Sequence, residues 1–127
     1  MASNTDLVRS GYEAFARQDI PAVLGLFDPK IEWTVSDSVR LGGRFTGHDE
    51  VVGFFGSLVE AYTEFHVLPQ EFIESGDRVI VLGHHVGKAT GGDFDIPFAH
   101  AWRMKDGKAV QFTEYADTAA MNTALGD

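Results

Sequence analysis

The sequence predicts an α+β fold: a curved, mostly antiparallel sheet wrapped around three helices, forming a cone-shaped α+β barrel with one apolar pocket. Up to about Tyr62 the apolar residues recur mainly at helical spacing, interrupted by one alternating run. From Glu64 to Asp117 the period switches to two, and short turns rich in Gly and Asp cut the run into strands. Helices first and strands afterwards make a layer of helices over one sheet face. The 127 residues are 44% hydrophobic, enough for one core, so residues 1–127 are read as a single domain.

Ser3, Asn4 or Thr5 can cap the first helix, in which Leu7, Val8, Gly11, Tyr12, Phe15 and Ala16 follow the i, i+3, i+4 rule to about Arg17. Asp19 caps a second short helix with Pro21 in its first turn, and Asp28-Pro29 ends it. Residues 31–35 alternate as a strand. Residues 36–47, with three Gly and two Arg and no period, read as a loop, a mouth or a lid. Thr46 with Asp49 forms a capping-box pattern ahead of a third helix carrying Val51, Phe54, Phe55, Leu58 and Tyr62. The strand from His66 to Glu74 contains Pro69, which belongs at an edge or a bulge. Residues 79–89 form a strand apolar on both faces. Residues 118–125 can form a short terminal helix capped by Asp117.

The hairpin from Phe94 to Asp117 carries the chemistry. Ile96, Phe98, His100, Trp102 and Met104 share one strand face, and Val110, Phe112, Glu114 and Ala116 share one on the next strand. A three-residue loop ending at Gly107 aligns the two faces, setting His100 opposite Phe112 and diagonal to Glu114, about 7–8 Å away. A two-residue loop at Gly91-Gly92 would set Gly83 opposite His100, with His85 as the diagonal neighbour of His100. An acid and two imidazoles then lie on an otherwise apolar face. His84 and His85 point to opposite faces and form no metal motif. His85, His100 and Glu114 have no ligand spacing, so neither a metal nor a cofactor is expected.

Nineteen acidic against ten basic residues give a net charge of −9, which argues against nucleic acid and anionic membranes as partners. There is no cysteine and hence no thiolate chemistry, and no run approaches the ~20 apolar residues of a membrane span. A cytoplasmic location is expected. Strand 79–89 makes a homodimer through the outer sheet face the expected assembly.

Several motifs resemble the nuclear transport factor 2-like superfamily, and within it the SnoaL-like polyketide cyclase and ketosteroid isomerase-like group. They are the run from Tyr12 to Val23, Leu26-Phe27-Asp28-Pro29 followed by Trp33, residues 43–47 before the third helix, Phe98-Ala99-His100-Ala101-Trp102, and Glu114-Tyr115-Ala116-Asp117. In the cyclases a histidine lies on the penultimate strand and an acidic base on the last. The resemblance implies those roles for His100 and Glu114, with Glu in place of the usual Asp. The isomerase base position falls near Thr34-Val35, where Asp37 is the only nearby acid, so that arrangement is not implied. Nor is the Asp-Arg-Asp set of limonene epoxide hydrolase-like members, because Arg103 faces away from His100.

Glu114 in an apolar pocket is expected to have its pKa raised by desolvation, which suits proton abstraction next to a carbonyl. His100 and His85 are the candidate donors beside it. Tyr12, Trp33, Phe55, Phe98, Trp102 and Phe112 are the candidate ligand-binding side chains, and a small apolar carbonyl-containing molecule is the expected ligand. Asp117 reads more readily as a helix cap than as a catalyst. A non-catalytic binder of an apolar ligand and an interaction module using the outer sheet remain open alternatives.

Overall fold

The structure is a computed structural model that describes residues 2–127. Among the described residues there are four helices, α1 (Asn4–Ala16), α2 (Ile20–Leu26), α3 (Gly47–Ala61) and α4 (Thr118–Ala124). The six strands are β1 (Phe27–Val35), β2 (Gly43–Thr46), β3 (Glu64–Ser75), β4 (Arg78–Ala89), β5 (Gly92–Lys105) and β6 (Lys108–Ala116). They form one sheet in the order β2-β1-β6-β5-β4-β3, antiparallel except for β1 beside β6. The sheet curves without closing, since β2 and β3 are both edges.

Local chemistry sets the helix ends. Ser3 caps α1 in a reciprocal box with Asp6, and Asp19 caps α2 through Ala22 N. Asp117 caps α4, accepting from Ala120 N at 3.0 Å. The capping box expected at Thr46 is absent: Thr46 makes no side-chain cap, and its own N–H donates to Glu50 Oε1 at 2.9 Å. The expected loop 36–47 also needs correction. Its last residues form β2, with Phe45 opposite Trp33, a strand too short to show a period.

Two expected registers are overturned. Between β5 and β6 the loop is the two residues Asp106-Gly107, both at positive φ as a type I′ turn requires. A bulge follows: Met104 pairs with Ala109 but Arg103 pairs with Gln111, leaving Val110 extra. His100 therefore lies opposite Glu114, not Phe112, and the inward faces still match. Between β4 and β5 the loop is Thr90-Gly91, so His100 faces Val81, Gly83 faces Phe98 and His85 faces Ile96. The terminal helix fixes that turn: Gly91 N donates to Ala124 O at 2.9 Å, and a Cβ on Gly91 would sit 2.0 Å from Thr123 O.

Pro69 lies on edge strand β3 beside a bulge that leaves Gln70 unpaired. The core fills the concave side, where α1, α2 and α3 pack Val8, Val23, Phe54 and Phe55 against Ile31, Trp33, Val79, Val81 and Phe112. No helix is long and apolar enough to cross a membrane.

Candidate active site

Three adjacent strands each contribute one polar side chain to the concave face. His85 comes from β4, His100 from β5 and Glu114 from β6, and each side chain is 9% exposed or less. His100 Nε2 lies 3.0 Å from Glu114 Oε1, and His85 Nε2 bonds the same oxygen. His85 reaches it across β5 because the intervening position on its own strand is Gly83. A Cβ there would lie 2.3 Å from Leu68 O and 2.8 Å from Phe98 Cζ. The Phe98 ring forms the floor of this crossing, stacked on His100 at 3.8 Å and 4.6 Å from His85.

Helix α1 supplies the next link. Tyr12 Oη lies 2.6 Å from His100 Nδ1, and Trp102 Nε1 donates to Tyr12 Oη at 3.0 Å. The proton positions follow from this chain. An indole N–H only donates, so Tyr12 Oη accepts from Trp102 and spends its own proton on His100 Nδ1. A neutral His100 then carries its proton on Nε2 and donates it to Glu114 Oε1. Oε1 accepts from both histidines, while Oε2 has no partner among the described residues.

The charges match. Burial pushes His100 down to about 4, outweighing the raising effect of Glu114, so the ring is neutral at physiological pH. Burial alone would push the Glu114 carboxyl up, as expected from the sequence. The hydrogen bonds from His100 and His85, with their charge, outweigh it and hold the group well below the usual carboxylate range. The expected direction is thus reversed: Glu114 is an ionised carboxylate in an apolar setting. Burial also raises Tyr12 above its ordinary range, so its hydroxyl stays protonated.

The polar group borders a cavity of about 80 Å³. Of the side chains singled out in the sequence, Tyr12, Trp33, Phe55, Trp102, Phe112, His85, His100 and Glu114 all line it. Phe98 does not, because it packs behind His100. Val39 and Leu41 also line it, from the segment read as a mouth loop, as does Tyr62, which the sequence placed at core spacing on the third helix. Met121 and Leu125 of the terminal segment were not singled out, and their four-residue spacing is the signal that could have found them. Arg40 ties the two segments together, bonding Asp127 Oδ1 at 3.0 Å and Leu125 O at 3.3 Å. Asp37 is exposed and Arg103 pairs outward with Asp77, so neither contributes to the cavity.

The ligand atoms of His85, His100 and Glu114 lie within 4.8 Å of one another, close enough for a metal. The hydrogen-bond order opposes it. Coordination through His100 Nε2 would move that proton to Nδ1, directing a second donor at Tyr12 Oη and stranding the tyrosine's own proton in an apolar layer.

The model of the SnoaL-like domain matches residues 8–112. This chain belongs to the SnoaL-like domain family. Among solved structures similar to this SnoaL-like chain is an NTF2-like protein of unknown function from Burkholderia pseudomallei. It is 40% identical, with 100% of each chain covered and a TM-score of 0.93. Another is TerC, co-crystallised with polyporic acid, 30% identical over 98% of each chain with a TM-score of 0.90. An uncharacterised protein of Mycobacterium tuberculosis is 28% identical over 121 residues, 93% of this chain and 92% of that one.

Proposed function

We propose that this SnoaL-like protein is a cofactor-independent enzyme of the isomerase or cyclase type, acting by general base catalysis on a small apolar carbonyl compound. The observation that carries the reading is a buried carboxylate lining an apolar cavity, with one oxygen bonded by two imidazoles and the other without a partner among the described residues. Glu114 Oε2 is the base atom. His100 and His85 are positioning residues that fix the carboxylate plane rather than donors to the substrate. Trp102 and Tyr12 in turn fix the His100 tautomer. The low carboxyl pKa limits the base to protons already acidified by a neighbouring carbonyl.

Solvent deuterium exchange next to the carbonyl of aryl ketones, followed by NMR, tests it. The protein should accelerate exchange and Glu114→Gln should lose about 100-fold or more. Equal rates in the two proteins would end the reading.

A second reading is a binding protein without turnover. One observation favours it: the carboxyl is held far below neutrality, whereas a tuned base lies near its working pH. TerC, a relative co-crystallised with polyporic acid, supports a small organic ligand under either reading. The working assembly is a homodimer through the outer sheet, where Leu68, Ile73 and Tyr115 are 46%, 50% and 62% exposed beside Ile80 and Leu82.

A further inference from the structure

Proton abstraction next to a carbonyl moves an electron pair onto the carbonyl oxygen, and that oxygen needs a donor. Around Glu114 the donors are spent. Trp102 N–H goes to Tyr12, Tyr12 O–H to His100, and both imidazole Nε2–H groups to Glu114 Oε1. Neither His100 nor Tyr12 has a proton left for a substrate.

Two other side-chain donors lie on cavity-lining residues, Trp33 Nε1–H and the Tyr62 hydroxyl; His85 Nδ1, also buried without a partner, offers a lone pair and not a proton, because Nε2 holds the proton given to Glu114. The Trp33 nitrogen is sealed in protein without a partner, in a ring stacked at 3.7 Å on Phe112 and packed on Phe55 and Trp102. Tyr62 differs. It stands at the end of α3, where its backbone N–H donates to Leu58 O at 3.0 Å. Its ring is braced 4.7 Å from Phe65 and 5.4 Å from Phe94, and Phe65 lies 5.0 Å from His85, the partner of Glu114. The hydroxyl has no hydrogen bond among the described residues, and it is not among the sealed atoms. Burial, reinforced by the Glu114 charge, raises it above its ordinary range, so it keeps its proton.

We infer that the Tyr62 hydroxyl is the hydrogen-bond donor to the ligand's carbonyl oxygen, in the cavity that the Glu114 base also lines. The inference rests on the general-base reading of Glu114 and adds its missing electrophile. In the step, Glu114 Oε2 takes the proton, the C–H pair becomes the C=C bond of the enolate, and the carbonyl π pair moves onto oxygen. Tyr62 donates a hydrogen bond to that oxygen and retains its proton.

The test uses acetophenone labelled with carbon-13 at its carbonyl. The bound carbonyl resonance should lie downfield of its position in Tyr62→Phe, and affinity should fall about tenfold in that variant. Trp33→Phe should leave the resonance in place. In the unaltered protein, exchanging water for heavy water should shift the bound carbonyl carbon beyond the shift that the same methyl isotopologue shows free in solution, a readout that requires no variant to fold. A carbonyl unmoved by Tyr62→Phe, one that moves with Trp33→Phe instead, the absence of that excess shift, or no binding up to the probe's solubility limit each overturns the inference. Deuterium exchange at the acetophenone methyl group reports on the base separately. Exchange without the downfield carbonyl sinks the Tyr62 role alone, and the downfield carbonyl without exchange sinks the base reading alone.

Discussion

Tyr12 and His100 lie 88 residues apart in the chain, yet Oη and Nδ1 meet at 2.6 Å with the two rings nearly parallel, 6° between planes. This one contact joins α1 to β5 and sets which histidine nitrogen holds the proton. Tyr12→Phe keeps the ring and leaves Trp102 N–H and His100 Nδ1 unpaired in the core. Each stranded group costs about 1–3 kcal/mol, so destabilisation of about 2–6 kcal/mol is expected in urea unfolding. A loss below about 0.5 kcal/mol would mean that the chain is not paired as described.

Stability should fall with acid, in two parts. The folded His100 titrates at about 4 against an ordinary 6.5, so between those values the unfolded chain binds more protons and stability rises with pH. Glu114 is also depressed when folded. Its contribution is complete above its ordinary 4.5 and is lost as pH falls through the lower folded value. Urea midpoints should therefore decline from about pH 6.5 downward, and Glu114→Gln should flatten the part below about 4.5. Midpoints that stay level between pH 7 and 4 would contradict the His100 assignment, and midpoints that stay level below about pH 4 would contradict that of Glu114.

Two glycines predict opposite outcomes for the same substitution. Gly83→Ala places a methyl 2.3 Å from Leu68 O and against the Phe98 ring, so about 1–3 kcal/mol of overpacking strain is expected, with a displaced His100 resonance. Gly53, exposed within α3, has nothing within 4 Å of an added Cβ. Gly53→Ala should raise stability by about 0.5–1 kcal/mol through helix propensity. Thermal unfolding of the pair side by side checks both signs.

The outer sheet face gives a concentration-dependent prediction. Ile73 and Ile80 pair across β3 and β4 on that face. Ile73→Asp should shift sedimentation from dimer to monomer while leaving acetophenone binding intact. A native protein that sediments as a monomer at high concentration would remove the dimer.

Alternation carried much of the fold. His100, Trp102 and Phe112 all face inward as the period-two pattern requires, and Asp117 caps α4 as its position suggests. Pairing partners were harder to read. A bulge at Val110 keeps Phe112 and Glu114 inward while sliding the register and giving Ala109, not the expected Val110, the buried place opposite Met104, and no residue type marks it. The Thr90-Gly91 turn is set by the backbone of α4, a long-range contact invisible to local turn rules. The direction of the Glu114 shift needs two donors from other strands, whereas the sequence exposes only the burial half of that balance. Tyr62 read as one more core aromatic, because nothing local distinguishes a hydroxyl with a partner from one without.

The parallel seam between β1 and β6 bears on how the protein is made. Trp33 pairs with Phe112, and almost the whole of the intervening sheet lies between them in the chain. On the ribosome, β1 emerges with only β2 to pair with, and its other edge stays open until the last strand is synthesised. The sheet wall that carries Glu114 therefore cannot form piecemeal during translation. Long-range pairing of this kind slows folding, and the nascent chain carries an apolar edge in need of shelter for most of its synthesis.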